Sequence, residues 1–117
     1  MEQTMKYLCL VYAEEKALES VPDSHCVAFD AGLRQSGHCL ASEALQPVHT
    51  ATTVRVRNGK VSMTDGPFAE TKEQLAGFYL VEAADLNEAL KMAAKIPPAE
   101  VGSIEVRPIR QLPGRGF

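Results

Sequence analysis

Two stretches of this chain are apolar at almost every position, and they limit the possible folds more than any other feature. Met5 to Tyr12 reads Met-Lys-Tyr-Leu-Cys-Leu-Val-Tyr, and Gln74 to Ala83 reads Gln-Leu-Ala-Gly-Phe-Tyr-Leu-Val-Glu-Ala. A strand turns alternate side chains to opposite faces, so a strand with one wet face alternates apolar and polar residues. These two do not alternate. In the second, Leu75, Gly77, Tyr79 and Val81 make one face, and Ala76, Phe78 and Leu80 make the other. Both stretches read as central strands covered on two sides.

The remaining segments fit around that pair. Ala13 to Glu19 carries charge without turn residues and reads as a loop or an extra turn of helix. Ser20-Val21-Pro22-Asp23-Ser24 has helix-start chemistry, and Cys26, Phe29 and Leu33 then fall on one helical stripe that stops at Gly37. His38 to Leu45 is a second strand, broken by Gln46-Pro47. Ala51 to Arg57 alternates Thr52, Val54 and Val56 against Thr53, Arg55 and Arg57, and Asn58-Gly59 separates it from Lys60 to Thr64. An Asn-Gly pair between two strand patterns signals a tight hairpin, because both turn residues must take positive φ. Asp85-Leu86-Asn87-Glu88 is a capping box opening a helix whose buried stripe is Leu86, Ala89, Leu90, Ala93 and Ala94. Pro97-Pro98 ends that helix at Lys95 or Ile96, and Ser103 to Ile109 is a last, edge strand.

The order is β-α-β-β-β-β-α-β. Without the Asn-Gly hairpin addition it reduces to two βαβ halves, the ferredoxin-like α+β plan with two helices on one face of an antiparallel sheet. Two helices cover one face only, yet the central strands are apolar on both. A second copy of the chain is the economical cover, so a homodimer is expected. Residues 5–110 then form one domain, with 1–4 as extra N-terminal residues, Met5 as a natural start, and 111–117 as a flexible tail.

Composition narrows the function classes. A chain of 117 residues with 45% hydrophobic and 23% charged residues is ordinary globular material, and a net charge of −3 gives no basic face for direct nucleic-acid binding. No run reaches the roughly 18 apolar residues of a membrane span, and the first residues lack signal-peptide order. Cys9, Cys26 and Cys39 form an odd set without C-x-x-C spacing, which fits small buried hydrophobes in a reducing cytoplasm. His25, His38 and His49 match no zinc spacing, and no Gly-rich phosphate loop or G-x-S-x-G motif occurs, so neither metal nor cofactor is expected.

The densest cluster of turn-forming and reactive side chains is Asp65-Gly66-Pro67-Phe68-Ala69-Glu70-Thr71-Lys72-Glu73. Turn chemistry explains its first part: an Asp carboxylate accepting backbone N–H groups, Gly at unusual φ, Pro fixing the next residue, and Phe68 pegging the loop to the core. Glu70, Lys72 and Glu73 exceed what a turn needs. They serve either as a solvated loop or, with Asp65, as groups that bind a polar metabolite or act as acid and base. Glu105 and Arg107 lie two apart on the last strand and share a face. They either line a pocket or pair, across the dimer or with Arg55 or Lys6. Tyr12 and Tyr79 are core tyrosines whose hydroxyls can reach the cleft.

Asp65-Gly66-Pro67-Phe68, followed by Glu70, Lys72 and Gly77-Phe78-Tyr79, resembles the DGPF branch of the YCII-related proteins. The resemblance runs from Met5 to Arg110 and implies a dimeric α+β barrel. It further implies a cleft near the Asp65 loop for a small polar or aromatic metabolite, with Gly66, Pro67, Phe68, Glu70, Lys72, Tyr79, Glu105 and Arg107 around it. Cofactor-free proton transfer, an elimination or isomerisation, would use Asp65 or His25 as base and Arg107 as anion anchor. The wider family is associated with a His on the first helix and an Asp just before a Pro after the second. His25 lies close to the first place, although an ungapped count back from Gly37 puts Cys26 there; the second reads Lys95-Ile96-Pro97 and lacks the Asp. The resemblance also implies an alternative: a non-catalytic interaction or regulatory protein linked to an extracytoplasmic-function sigma factor. In a third reading the Asp65 loop only stabilises the dimer.

Overall fold

The computed structural model describes residues 4–114. Residues 1–3 of the expected N-terminal extension and 115–117 of the expected tail lie outside them. In chain order the elements are β1 (Met5–Ala13), α1 (Glu15–Leu18), α2 (Asp23–Gln35), β2 (Cys39–Ala44), β3 (Thr52–Arg57), β4 (Lys60–Asp65), β5 (Gln74–Ala83), α3 (Leu86–Ala93) and β6 (Ser103–Pro108), with 3-10 turns at Val48–Thr50 and Pro97–Glu100. The protein is α+β with antiparallel sheets. Four strands form a sheet in the order β2-β5-β1-β6, and β3 and β4 form a separate two-stranded sheet. This arrangement is compatible with the ferredoxin-like plan, and α1 is the extra turn of helix left open above. No helix among the described residues is long and apolar enough to cross a membrane.

The two apolar strands sit side by side at the centre of the sheet. Tyr7, Cys9, Val11 and Ala13 of β1 and Tyr79, Val81 and Ala83 of β5 are buried on one face, against Ala89, Ala93 and Ile96. Phe29 and Leu33 of α2 pack on the same cluster, Phe29 edge-on to the Tyr79 ring with centroids 5.5 Å apart. On the other face Leu8 lies opposite Leu80 and Leu10 opposite Phe78, all only half-buried. Arg107 stands beside Leu8, and Glu105 beside Leu10. The molecule is 19 Å across its short axis, the depth of one sheet and one layer of helices. Nothing among the described residues forms a layer over the second face.

Local details depart from the sequence expectations in three places. Leu86 and Leu90 are exposed rather than buried. They sit about 60° around α3 from the Ala89–Ala93 row, and those small side chains are the ones that let the helix approach the sheet. Leu75 lies on the face of Tyr12, not of Gly77: the ladder steps from Val11–Gly77 to Tyr12–Leu75, so Ala76 is an extra residue in β5 and reverses the alternation below it. α3 also ends at Ala93, because the Lys95 and Ile96 amides bond three residues back, to Met92 and Ala93, tightening the last turn. The capping box is present. The Asp85 carboxylate accepts the Glu88 amide at 2.9 Å, and the Glu88 carboxylate accepts the Ala84 amide at 2.8 Å. Asn58 and Gly59 take φ of 51° and 75°, the positive values that the hairpin turn requires.

Candidate functional site

Helix α2 has no fully buried residue. It stands off the sheet at its N-terminal half, and beneath it lies a cavity of about 410 Å³. That volume is in the range of small-molecule sites. Val11, Gly77 and Tyr79 line it from the sheet, Cys26 and Asp30 from α2, and Ser42 from β2. Gly77 brings β2 and β5 close together: a Cβ there would lie 2.7 Å from the Glu43 carbonyl oxygen.

The polar side of the cavity is a connected group. The Ser42 hydroxyl and the Cys39 thiol donate to Asp30 Oδ1, and the Arg34 guanidinium donates to Asp30 Oδ2 at 2.9 Å and to Ser42 Oγ at 3.0 Å. The Ser42 hydrogen bond, then Arg34, hold the Asp30 carboxyl below the usual carboxylate range, against the opposing effect of burial. Burial pushes the Tyr79 phenol up to about 12, with the neighbouring Cys26, Asp30 and Cys39 adding to it. The Cys26 thiol is raised by burial and by Asp23, and the Cys39 thiol chiefly by burial. At neutral pH the Asp30 carboxylate, already bonded and weakly basic, therefore stands beside protonated thiols and a phenol, with Asp23 and Glu43 also lining the cavity. The Tyr79 hydroxyl has no hydrogen-bond partner among the described residues, and no sealed side-chain polar atom is left without one. The hydroxyl is therefore accessible and available to a ligand.

Of the residues expected around a site, only Tyr79 lines this cavity. His25 is exposed on α2, one position from the cavity-lining Cys26. Asp65 closes β4 opposite Thr52, exposed, and its carboxylate accepts no hydrogen bond among the described residues. The turn is held instead by backbone and Thr53. Gly66 (φ 103°) donates its amide to Ala51 O at 2.8 Å, and its carbonyl accepts the Thr53 hydroxyl at 2.9 Å. Phe68 does not peg the loop to the core; it is 79% exposed, with the Arg55 guanidinium 5.7 Å from its ring centre. The loop around it leaves Phe68 no apolar wall to enter. Glu70 is exposed, Lys72 is 3.7 Å from Glu14, and Glu73 accepts the Ser103 hydroxyl at 2.7 Å. Glu105 and Arg107 form an ion pair with each other on the open sheet face.

Asp30, Arg34 and Ser42 had not been singled out in the sequence. A signal was present: Asp30 follows Cys26 by four residues, a carboxylate on a stripe whose other members, Cys26, Phe29 and Leu33, are apolar. No group of three or more metal-ligating side chains converges among the described residues.

A family model for the YCII-related domain matches residues 5–113, nearly the whole chain. The chain belongs to the YCII-related family. An uncharacterised protein of Rhizobium meliloti (strain 1021) is 51% identical over 67 residues, covering 56% of this chain and 54% of that protein. The chain thus spans about half the length of the curated relative that it matches. In this YCII-related protein, the neighbour of His25 that faces the cavity is Cys26.

Proposed function

We propose that this YCII-related protein, by its Asp65-Gly66-Pro67-Phe68 sequence a member of the DGPF branch, is a homodimer that binds a small polar or aromatic metabolite in the cavity beneath α2. The observation that carries this reading is the free Tyr79 hydroxyl in an apolar-walled cavity beside the Asp30–Ser42–Arg34 group. An aromatic or aliphatic body would lie against Val11 and Gly77, and a polar edge would meet Tyr79 and the outer lone pairs of Asp30. The homodimer reading rests on the apolar, half-buried face of Leu8, Leu10, Phe78 and Leu80, over which the described residues lay no second layer. In such a dimer the Glu105–Arg107 pair would lie between two sheets, where an already formed ion pair costs less than either charge alone. Proton transfer with Asp65 or His25 as base requires the ligand to reach exposed residues that do not line the cavity.

The experiment is thermal unfolding of wild type, Tyr79→Phe and Asp65→Asn against a panel of metabolites. A ligand at about 100 times its Kd adds about 2.7 kcal/mol, several degrees in a domain of this size. The expected result is a shift kept in Asp65→Asn and reduced in Tyr79→Phe. A shift lost in Asp65→Asn and kept in Tyr79→Phe would move the site to the Asp65 loop.

A second reading is a non-catalytic interaction protein linked to an extracytoplasmic-function sigma factor. It is favoured by the central polar groups of the cavity: Asp30 is already bonded by Ser42 and Arg34 and its carboxyl is depressed, while burial raises the Cys26 thiol and the Tyr79 phenol, so that none of these three is poised as a base near neutral pH. Partner capture with no metabolite shift would support it.

A further inference from the structure

We infer that the β3–β4 arm packs its apolar face on a second copy of this chain and carries the Asp65–Phe68 turn into the dimer interface. The inference rests on the homodimer reading above and adds where the partner is gripped.

The arm is built as an interface without a partner in its own chain. Val54 lies opposite Met63 and Val56 opposite Val61, so these four side chains share one face. They are 57–71% exposed, and of all the residues in the two strands only Thr53, at the base, is partly covered. The other face holds Arg55, Arg57 and Lys60 with Ser62 and Thr64. Such a hairpin is amphipathic across its thickness, which is the pattern of a ribbon laid on a surface. An isolated two-stranded ribbon is only marginally stable in water and needs a third layer or strand to hold it. Among the described residues its hydrogen bonds to the rest of the chain are at its root, Gly66 to Ala51 and Thr53 to Gly66.

Charge and symmetry both favour a second copy as that layer. The arm, residues 52–65, carries Arg55, Arg57 and Lys60 against Asp65, a net +2. The whole chain is −3, so the remainder carries −5. With Arg55, Arg57 and Lys60 on the face away from the apolar one, this opposite net charge steers the arm toward the acidic body of another copy while the cations stay at the solvated outer side. Four side chains fall well short of the roughly 20 to 30 residues per side of a stable interface. Two-fold symmetry presents the arm twice, in addition to the open sheet face present twice, and each arm then adds to an interface rather than having to sustain one.

The test combines dimer dissociation constants by analytical ultracentrifugation with hydrogen exchange, on the full chain. The variant is Val54→Lys combined with Met63→Lys, at positions that are exposed in the single chain. The expected result is dimerisation weakened about 100-fold, read as a dissociation constant about 100-fold higher, with unchanged far-UV circular dichroism. In wild type, the β3 and β4 amides should be protected at high protein concentration and lose that protection on dilution. A wild-type dimer whose arm amides exchange at loop rates, with the variant dimerising equally well, would overturn the inference and leave the homodimer reading standing. A wild-type monomer at micromolar concentration would overturn both. If the double variant fails to fold, the wild-type exchange pattern alone decides.

Discussion

The Ser42 hydroxyl donates to the Asp30 carboxylate across the seam between β2 and α2, two of the elements that wall the cavity. The bond fixes a carboxylate whose second oxygen is held by Arg34, four residues along the helix. Because this bond is the main reason that Asp30 stays ionised below the usual range, Ser42→Ala should raise the Asp30 pKa toward its ordinary value. A depressed carboxyl stabilises the folded state above the ordinary carboxylate range, and that contribution disappears as pH falls through the folded value. Ser42→Ala should therefore cost about 1 kcal/mol at neutral pH and much less in acid. Urea unfolding at both pH values checks this; an equal loss in acid would mean that the hydrogen bond to the carboxylate is not the source.

Stability should also fall on the alkaline side. Burial lifts the Cys9 thiol from 9.0 to about 11 and the Tyr79 phenol from 10.0 to about 12. The folded state keeps protons that the unfolded chain releases, so this contribution is complete below about pH 9 and is lost as pH climbs toward 12. Tyr79→Phe should flatten the decline above pH 10, as read from the free energy of unfolding against pH. An unchanged slope would place the alkaline titration elsewhere.

Three glycines should respond in opposite directions. A Cβ at Gly77 would meet the Glu43 carbonyl oxygen at 2.7 Å, and one at Gly102 would meet the Tyr12 carbonyl oxygen at 2.1 Å, both unyielding backbone. Gly77→Ala and Gly102→Ala should each cost about 1–3 kcal/mol. Gly32, inside α2, has nothing within 4 Å of its would-be Cβ, so Gly32→Ala should gain about 0.5–1 kcal/mol. Chemical denaturation of the three variants tests the contrast.

The α3 cap offers a fourth check. Asp85→Ala removes the acceptor for the Glu88 amide and should cost about 1 kcal/mol, while Asp85→Asn keeps an acceptor oxygen and should be nearly neutral. Equal melting temperatures for the alanine variant and wild type would show that α3 is held by packing of Ala89 and Ala93 alone.

How far the sequence could be read differs between elements. The limits of β5, the Asn58-Gly59 turn and the Asp85 cap were legible because each follows from chemistry within a few residues. The Ala76 bulge was not, since it depends on how β1 and β5 align, and it moved Leu75 to the opposite face. The exposure of Leu86 and Leu90 was equally hidden: their spacing suits a buried stripe, but the neighbouring alanines made the closer contact.

The candidate site divides along the same line. Tyr79 was legible because a tyrosine on a doubly apolar strand must send its hydroxyl somewhere, whereas Cys26 read only as a small buried hydrophobe and His25 drew the attention that belongs to its neighbour. Ser42 and Asp30 stand twelve residues apart in unremarkable surroundings, and only the docking of α2 over β2 joins them. The Asp65 turn showed the reverse. Its composition drew notice, yet Asp65 accepts no hydrogen bond in the described chain and Phe68 lies in the open.

The sequence by itself determined the strands, the helix starts, the hairpin turn and the two-sided apolar centre, because backbone preference and side-chain alternation act over short spans. Only the tertiary structure decided that the N-terminal half of α2 stands off the sheet, that Ser42 and Arg34 meet at Asp30, and that the β3–β4 arm projects uncovered among the described residues. Those outcomes depend on which surfaces come into contact when distant segments pack, and no local preference carries that information.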